Sequence, residues 1–117
     1  MIVDDEADVR EFAASFFRKR KIEVEVAGSG EEALTLFEKN KPGLILLDIK
    51  MSGMDGIETL EAIRKKDTQV KVIMVTGKKP EEDEACKRCE ELGVEGYVHK
   101  PLELDELERI VLKELRP

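Results

Sequence analysis

Five residues of chemically active type stand where apolar runs give out. Asp4 and Asp5 follow Met1-Ile2-Val3, Asp48 follows Leu44-Ile45-Leu46-Leu47, Thr76 closes the run from Val70 to Val75, and Lys100 follows Gly96 to His99. Three carboxylates, a hydroxyl and an ammonium are the parts needed to hold a divalent cation beside a phosphoryl group. Carboxylates about 5 Å apart repel by roughly 3 kcal/mol per pair at an effective dielectric of about 20, so acids brought together need a cation or raised pKa values. Oxygen ligands in a cleft with some solvent access suit Mg2+, which keeps several waters and shares carboxylates with phosphate. Lys100 neutralises a dianion, Thr76 donates a hydrogen bond to it, and Gly77 leaves room for a bulky group to approach.

The elements read from the chain bring these residues together. Val9, Phe12, Ala13, Phe16 and Phe17 recur at helical spacing between Ala7 and Lys21, with basic residues gathered at the end that the macrodipole favours. Ile22 to Ala27 alternates valine with glutamate, the pattern of an edge strand with one wetter face. Ser29 with Glu32 forms a capping box, opening a helix through Ala33, Leu34 and Phe37 that stops at Pro42-Gly43. Ile57, Leu60 and Ile63 mark the next helix, Pro80 begins another that Gly93 ends, and Leu104, Leu107, Val111 and Leu115 stripe the last. Strand then helix, five times over with short connections, predicts a parallel sheet covered on both faces. A weak second strand at the edge suits the flavodoxin-like (βα)5 three-layer sandwich with strand order 2-1-3-4-5, in which strands one and three flank the switch point where ligands bind. Asp4, Asp5 and Asp48 are then expected in one acidic pocket, with Thr76 and Lys100 at the same sheet edge.

These motifs in combination resemble the receiver domain of two-component response regulators, the single-domain chemotaxis regulator included. Val3-Asp4-Asp5-Glu6, Leu47-Asp48-Ile49-Lys50-Met51, Met54-Asp55-Gly56, Thr76-Gly77 and Lys100-Pro101 occur in order and at family-like spacing, and the resemblance spans residues 1–117. It implies a bacterial or archaeal switch protein rather than a turnover enzyme. Asp48 would take a phosphoryl group from the phosphohistidine of a sensor histidine kinase or histidine phosphotransfer protein. Asp5, Asp48 and the backbone carbonyl of Lys50 would hold Mg2+, with Asp4 assisting through water, and Lys100 would pair with the phosphoryl oxygens. Thr76 would swing toward the phosphoryl group and Tyr97 turn inward behind it. A downstream protein target would read the resulting change on helix four, strand five and helix five, which is also the candidate homodimer surface. Lys100-Pro101 would be a cis peptide, a conformation that only proline makes cheap.

The chain departs from the family pattern at Ser52, where proline is usual; the expectation is a looser loop with no effect on the metal. Lys50 and Lys78 are expected at the rim, where they would crowd the phosphoryl group and slow attack by water. Three rivals are weaker. Gly28-Ser29-Gly30 fits a dinucleotide fingerprint, with Asp48 about twenty residues on, but Glu31 and Glu32 would face the pyrophosphate. A haloacid-dehalogenase-like phosphatase also uses an aspartyl nucleophile, but wants an acid where Lys50 stands. A receiver-fold module that binds partners without phosphorylation would not need the full set of acids, threonine and lysine.

The remaining features bound the class. A net charge of -7 disfavours direct binding to nucleic acid or an anionic membrane. No apolar run approaches a spanning helix and Met1-Ile2-Val3-Asp4 lacks the form of a secretory signal, which predicts a cytoplasmic protein. With 117 residues, one receiver domain without an output domain is expected. Cys86 and Cys89 have redox or metal spacing, but His99 has no visible companion and the run Glu81-Glu82-Asp83-Glu84 would raise a thiol pKa. They are read as ordinary helix residues, one of them facing the core, and His99 as a plain surface or strand residue.

Overall fold

In the computed structural model, which describes residues 1–77 and 84–115, the four apolar residues ahead of Asp48 divide between two cores. Ile45 and Leu47 join Val72 and Met74 on one side of the sheet, while Leu44 and Leu46 join Ile73, Val75 and Val98 on the other. Side chains alternate along a strand, so one buried on both faces must be apolar at every position. The sheet comprises β1 (Ile2–Val3), β2 (Val26–Ala27), β3 (Leu44–Asp48), β4 (Lys71–Thr76) and β5 (Gly96–His99). Its order is β2-β1-β3-β4-β5 and every pairing is parallel. Helices α2 (Gly30–Lys39), α3 (Gly56–Lys66) and α4 (Glu84–Leu92) cover the first face; α1 (Ala7–Lys19) and α5 (Leu104–Glu114) cover the second. This is the expected flavodoxin-like three-layer sandwich.

Several boundaries differ from those read in the chain. Only Val26–Ala27 of the second strand enters the ladder; Ile22 and Val24 still pack against the core on the α1 and α5 side, so the alternation reports burial more than pairing. The start expected for the fourth helix at Pro80 lies outside the described residues. Phe12 belongs to the α1 stripe by spacing yet is 42% exposed, and Cys86 and Cys89 are both buried rather than one of them. His99 is exposed as expected.

The first helix ends two residues earlier than expected, for a reason visible at Lys21. Ile22 N–H donates to Phe17 O at 3.1 Å and Lys21 N–H to Arg18 O at 2.9 Å, the paired bonds of a Schellman closure. That closure puts Lys21 at φ 61, the left-handed region where glycine is at ease and other residues are strained by about 1–2 kcal/mol. Lys21→Gly is expected to stabilise the protein by about 1 kcal/mol, read as a rise of several degrees in the thermal midpoint. A midpoint at or below that of the parent would remove this strain from consideration.

Arg64 ties the amino-end loops together. Its guanidinium donates to Asp67 O and Val70 O from Nη1 at 3.1 and 2.9 Å, and to Leu92 O and Gly93 O from Nε and Nη2 at 3.2 and 2.8 Å. One cation thus satisfies carbonyls at the C-terminal ends of both α3 and α4, where the helix dipole also favours it. Arg64→Met would strand these carbonyls and is expected to cost about 3 kcal/mol, measurable as an earlier denaturation midpoint with an unchanged slope.

Candidate functional site

The same alternation that builds two cores selects which site residues meet. Asp4 continues the parity of Ile2, Asp48 that of Leu44 and Leu46, and Lys100 that of Val98, all on the side covered by α1 and α5. Register aligns them: Val3 pairs with Leu47, Asp48 with Val75 and Thr76 with His99, and Lys100 N–H donates to Thr76 O at 2.8 Å. Lys100 Nζ accordingly lies 3.2 Å from Asp4 Oδ2 and 3.2 Å from Asp48 Oδ2. It lies 3.2 Å from Glu6 Oε1 as well. Asp4 and Asp48 are buried, Glu6 is exposed, and the Lys100-Pro101 peptide is cis, as the resemblance implies.

One ammonium among several acids leaves the pocket negative. Burial, and then the charge of Asp4, pushes the Asp48 pKa up to about 6, against the opposing pull of Lys100 and a backbone hydrogen bond from Lys50. Burial alone would lower the Lys100 pKa, but the charges of Asp48 and Asp4 and its hydrogen bonds to them outweigh it, so the ammonium is held above its ordinary value. Asp4, Asp5 and Glu6 each offer one oxygen within 4.8 Å of one another, a cluster able to coordinate a metal ion. Glu6 was assigned no role from the sequence; its place in the run Asp4-Asp5-Glu6 was the available signal.

Asp5 has the opposite parity and faces the loop after β3. Its Oδ2 accepts from the N–H of Ser52 at 3.0 Å and from the Ser52 hydroxyl at 3.3 Å. Ser52 therefore does not loosen this loop, as expected from the missing proline; it ties the loop to Asp5, because serine offers two donors where proline offers none. Behind Asp48, a Cβ added to Gly56 would lie 2.2 Å from Asp48 O and 2.7 Å from Ile49 Cα, and Gly56 N–H donates to Ile49 O at 2.9 Å. The first residue of α3 thus sets the backbone that carries Asp48.

Thr76 ends β4 and is buried. Tyr97 is half-buried in β5, and its hydroxyl lies 3.0 Å from Glu90 Oε1 and 3.1 Å from Cys86 O on α4, two acceptors for its one proton. Burial first, and Glu90 second, raise the Tyr97 pKa. Lys50 is exposed, and Lys78 lies outside the described residues. A cleft of about 540 Å³, lined in part by Glu6, Val9, Phe12, Gly77, Lys100 and Pro101, opens beside the Lys100 ammonium.

The glycine-rich rival loses its binding surface in this geometry. Gly28 N–H is taken by the Glu32 carboxylate at 2.6 Å, while Ser29 Oγ accepts from Glu32 N–H at 3.1 Å, so the start of α2 caps itself. A Cβ at Gly30 would meet Thr59 Oγ1 at 2.2 Å, which makes that glycine a packing requirement between α2 and α3.

A doubly wound parallel sheet with acids at the carboxyl ends of β1 and β3 and a lysine at that of the edge strand β5 defines the α/β proteins that bind ligands at a topological switch point. The model of the response regulator receiver domain matches residues 1–112, and the chain belongs to that family. Its curated relatives include the regulatory protein AtoC of Escherichia coli, 38% identical over 99% of this chain, and sporulation initiation phosphotransferase F of Bacillus subtilis, 35% identical over 98%. The chain spans 25% of AtoC and 91% of phosphotransferase F. Among solved structures, the receiver domain of NtrX from Brucella abortus superposes with TM-score 0.87 at 28% identity, covering 97% of this chain and 95% of that one. Vibrio cholerae chemotaxis protein CheY4 superposes with TM-score 0.86 at 26% identity, covering 97% and 94%. As a receiver of two-component signal transduction, this domain is a phosphorylation switch. Among the described residues no helix is long and apolar enough to cross a membrane.

Proposed function

We propose that Asp48 is the phosphoacceptor, taking its phosphoryl group from the phosphohistidine of a sensor histidine kinase or histidine phosphotransfer protein. The observation that carries this reading is Lys100 Nζ at 3.2 Å from both Asp4 and Asp48, with Lys100 also lining an adjoining cleft of about 540 Å³. One Asp48 oxygen attacks phosphorus, the P–N bond breaks, and its electron pair leaves with the imidazole nitrogen. Lys100 moves from carboxylate to phosphoryl oxygens, while the apolar ledge of Val9, Phe12 and Pro101 orients the donor.

Asp5, Asp48 and the Lys50 carbonyl would hold Mg2+, with Asp4 assisting through water. The donors are all hard oxygens, which fit Mg2+ better than a thiophilic ion. When bound, the ion supplies positive charge opposite the phosphoryl oxygens. Thr76 turns toward the phosphoryl group, Tyr97 leaves Glu90 and turns inward, and the surface of α4, β5 and α5 presents a changed face to a downstream protein or a second copy of the chain. We read residues 1–117 as one receiver domain acting in the cytoplasm.

Incubation with phosphoramidate or acetyl phosphate and Mg2+ tests the reading by intact mass. One phosphoryl adduct is expected, and none when EDTA is present from the start; its absence with both donors would leave a partner-binding module of receiver fold. Lys50 is exposed two residues after Asp48, and the double change Lys50→Ala and Lys78→Ala is expected to shorten the adduct's lifetime severalfold. Decay at the parent rate would dispose of a role for these lysines.

A further inference from the structure

Ser52, on the loop that follows Asp48, is a residue that the expected chemistry left without a task. Its two donors converge on a single oxygen of Asp5, the backbone N–H at 3.0 Å and the hydroxyl at 3.3 Å. Both fall on Oδ2, and Oδ1 takes neither. Mg2+ demands near-octahedral geometry with short metal–oxygen bonds, and a carboxylate usually meets it through one oxygen. The second oxygen is then free to keep hydrogen bonds that fix the carboxylate's orientation.

From this geometry we infer that Ser52 is a positioning residue for the cation, acting through Asp5; the inference rests on the proposed Mg2+ site. Asp5 is exposed on the loop that follows β1, and an exposed carboxylate otherwise samples several rotamers. The double hydrogen bond selects one of them before any ion arrives. It also fastens the loop after β3 to the loop after β1, and Lys50, whose carbonyl is the proposed backbone ligand, lies two residues before Ser52 on that loop. Two ligands from separate segments are thus held at a set spacing by one side chain and its own N–H. Proline, the residue usual at this position in the family pattern, supplies neither donor.

Mg2+ affinity of the unphosphorylated full chain, measured by isothermal titration calorimetry, tests the inference without any turnover. Ser52→Pro removes both donors and is expected to weaken binding by about tenfold or more, the usual effect of deleting a partner that orients a ligand. Ser52→Ala keeps the N–H and should fall between, while Ser52→Thr restores the hydroxyl and should lie within about twofold of the parent. In an Asp5→Asn background, Ser52→Ala should have no further effect, since its action runs through the carboxylate. Circular dichroism of each variant checks that the fold is retained. Parent-like or tighter binding by Ser52→Pro and Ser52→Ala would overturn the role of Ser52 alone. Failure of the parent chain to bind Mg2+ at millimolar concentration would overturn the cation site and this inference together.

Discussion

Asp48→Asn is expected to abolish phosphoryl acceptance from small donors and from a partner kinase, and at the same time to make the metal-free protein harder to melt. Asparagine keeps the shape of aspartate and loses the nucleophilic anion. The stability gain has a definite pH window. The Asp48 pKa stands at about 6 in the fold against 3.8 in its unperturbed state, so the folded state binds the proton more tightly than the unfolded chain. Below about pH 4 the carboxyl is neutral in both states and imposes no penalty. As pH rises through 6 the unfolded chain ionises first, the native state is left with an unfavourable buried charge, and stability falls until the penalty is complete near neutrality. Asparagine is neutral throughout. With allowance for solvent screening in an open cleft, the gain is about 1.5 kcal/mol, or roughly 5 °C at pH 8 in EDTA. The advantage should vanish at about pH 4. A variant that melts no later than the parent at pH 8 would mean that Lys100 fully offsets both the burial of Asp48 and its repulsion by Asp4.

Gly56→Ala should damage stability and chemistry together. The new methyl group would sit 2.2 Å from the Asp48 carbonyl oxygen and 2.7 Å from Ile49 Cα, and backbone atoms cannot rotate away as a flexible side chain does. Either α3 withdraws from the end of β3 or Asp48 moves, and forced overpacking of this kind costs about 3 kcal/mol. A thermal midpoint lower by roughly 10 °C is expected, with phosphorylation by phosphoramidate slowed at least tenfold even at temperatures where the variant is folded. Gly43→Ala is the control, since nothing lies within 4 Å of a Cβ there; it should change the midpoint by less than about 2 °C. Equal behaviour of the two alanine variants would show that α3 yields without disturbing Asp48.

Local pattern was enough for the architecture. Two-sided burial makes Leu44 to Leu47 of β3 and Val72 to Val75 of β4 uniformly apolar, helical periodicity marks the covering layers, and short connections force the strands to run parallel. The sheet edge that collects Asp4, Asp5, Asp48, Thr76 and Lys100 follows from the same reading, because strand ends are visible wherever an apolar run stops. Boundaries were less legible. The closure of α1 at Lys21 shows no glycine to announce it, and Ile22 and Val24 are shielded without joining the ladder.

The finer division of the acids was decided in three dimensions. Parity sends Asp4 and Asp48 to Lys100 but turns Asp5 toward Ser52, and strand register sets how near each approach is. Glu6 reaches Lys100 across the carboxyl ends of β3 and β4, which lie between β1 and β5 in the sheet. Tyr97 finds Glu90, and Gly56 finds the Asp48 carbonyl, through contacts between elements that no local pattern encodes. Composition and periodicity act through burial, which each residue carries in its own chemistry. Hydrogen bonds and charge pairs depend on directions and on distances of a few ångströms, and these exist only once the layers have packed.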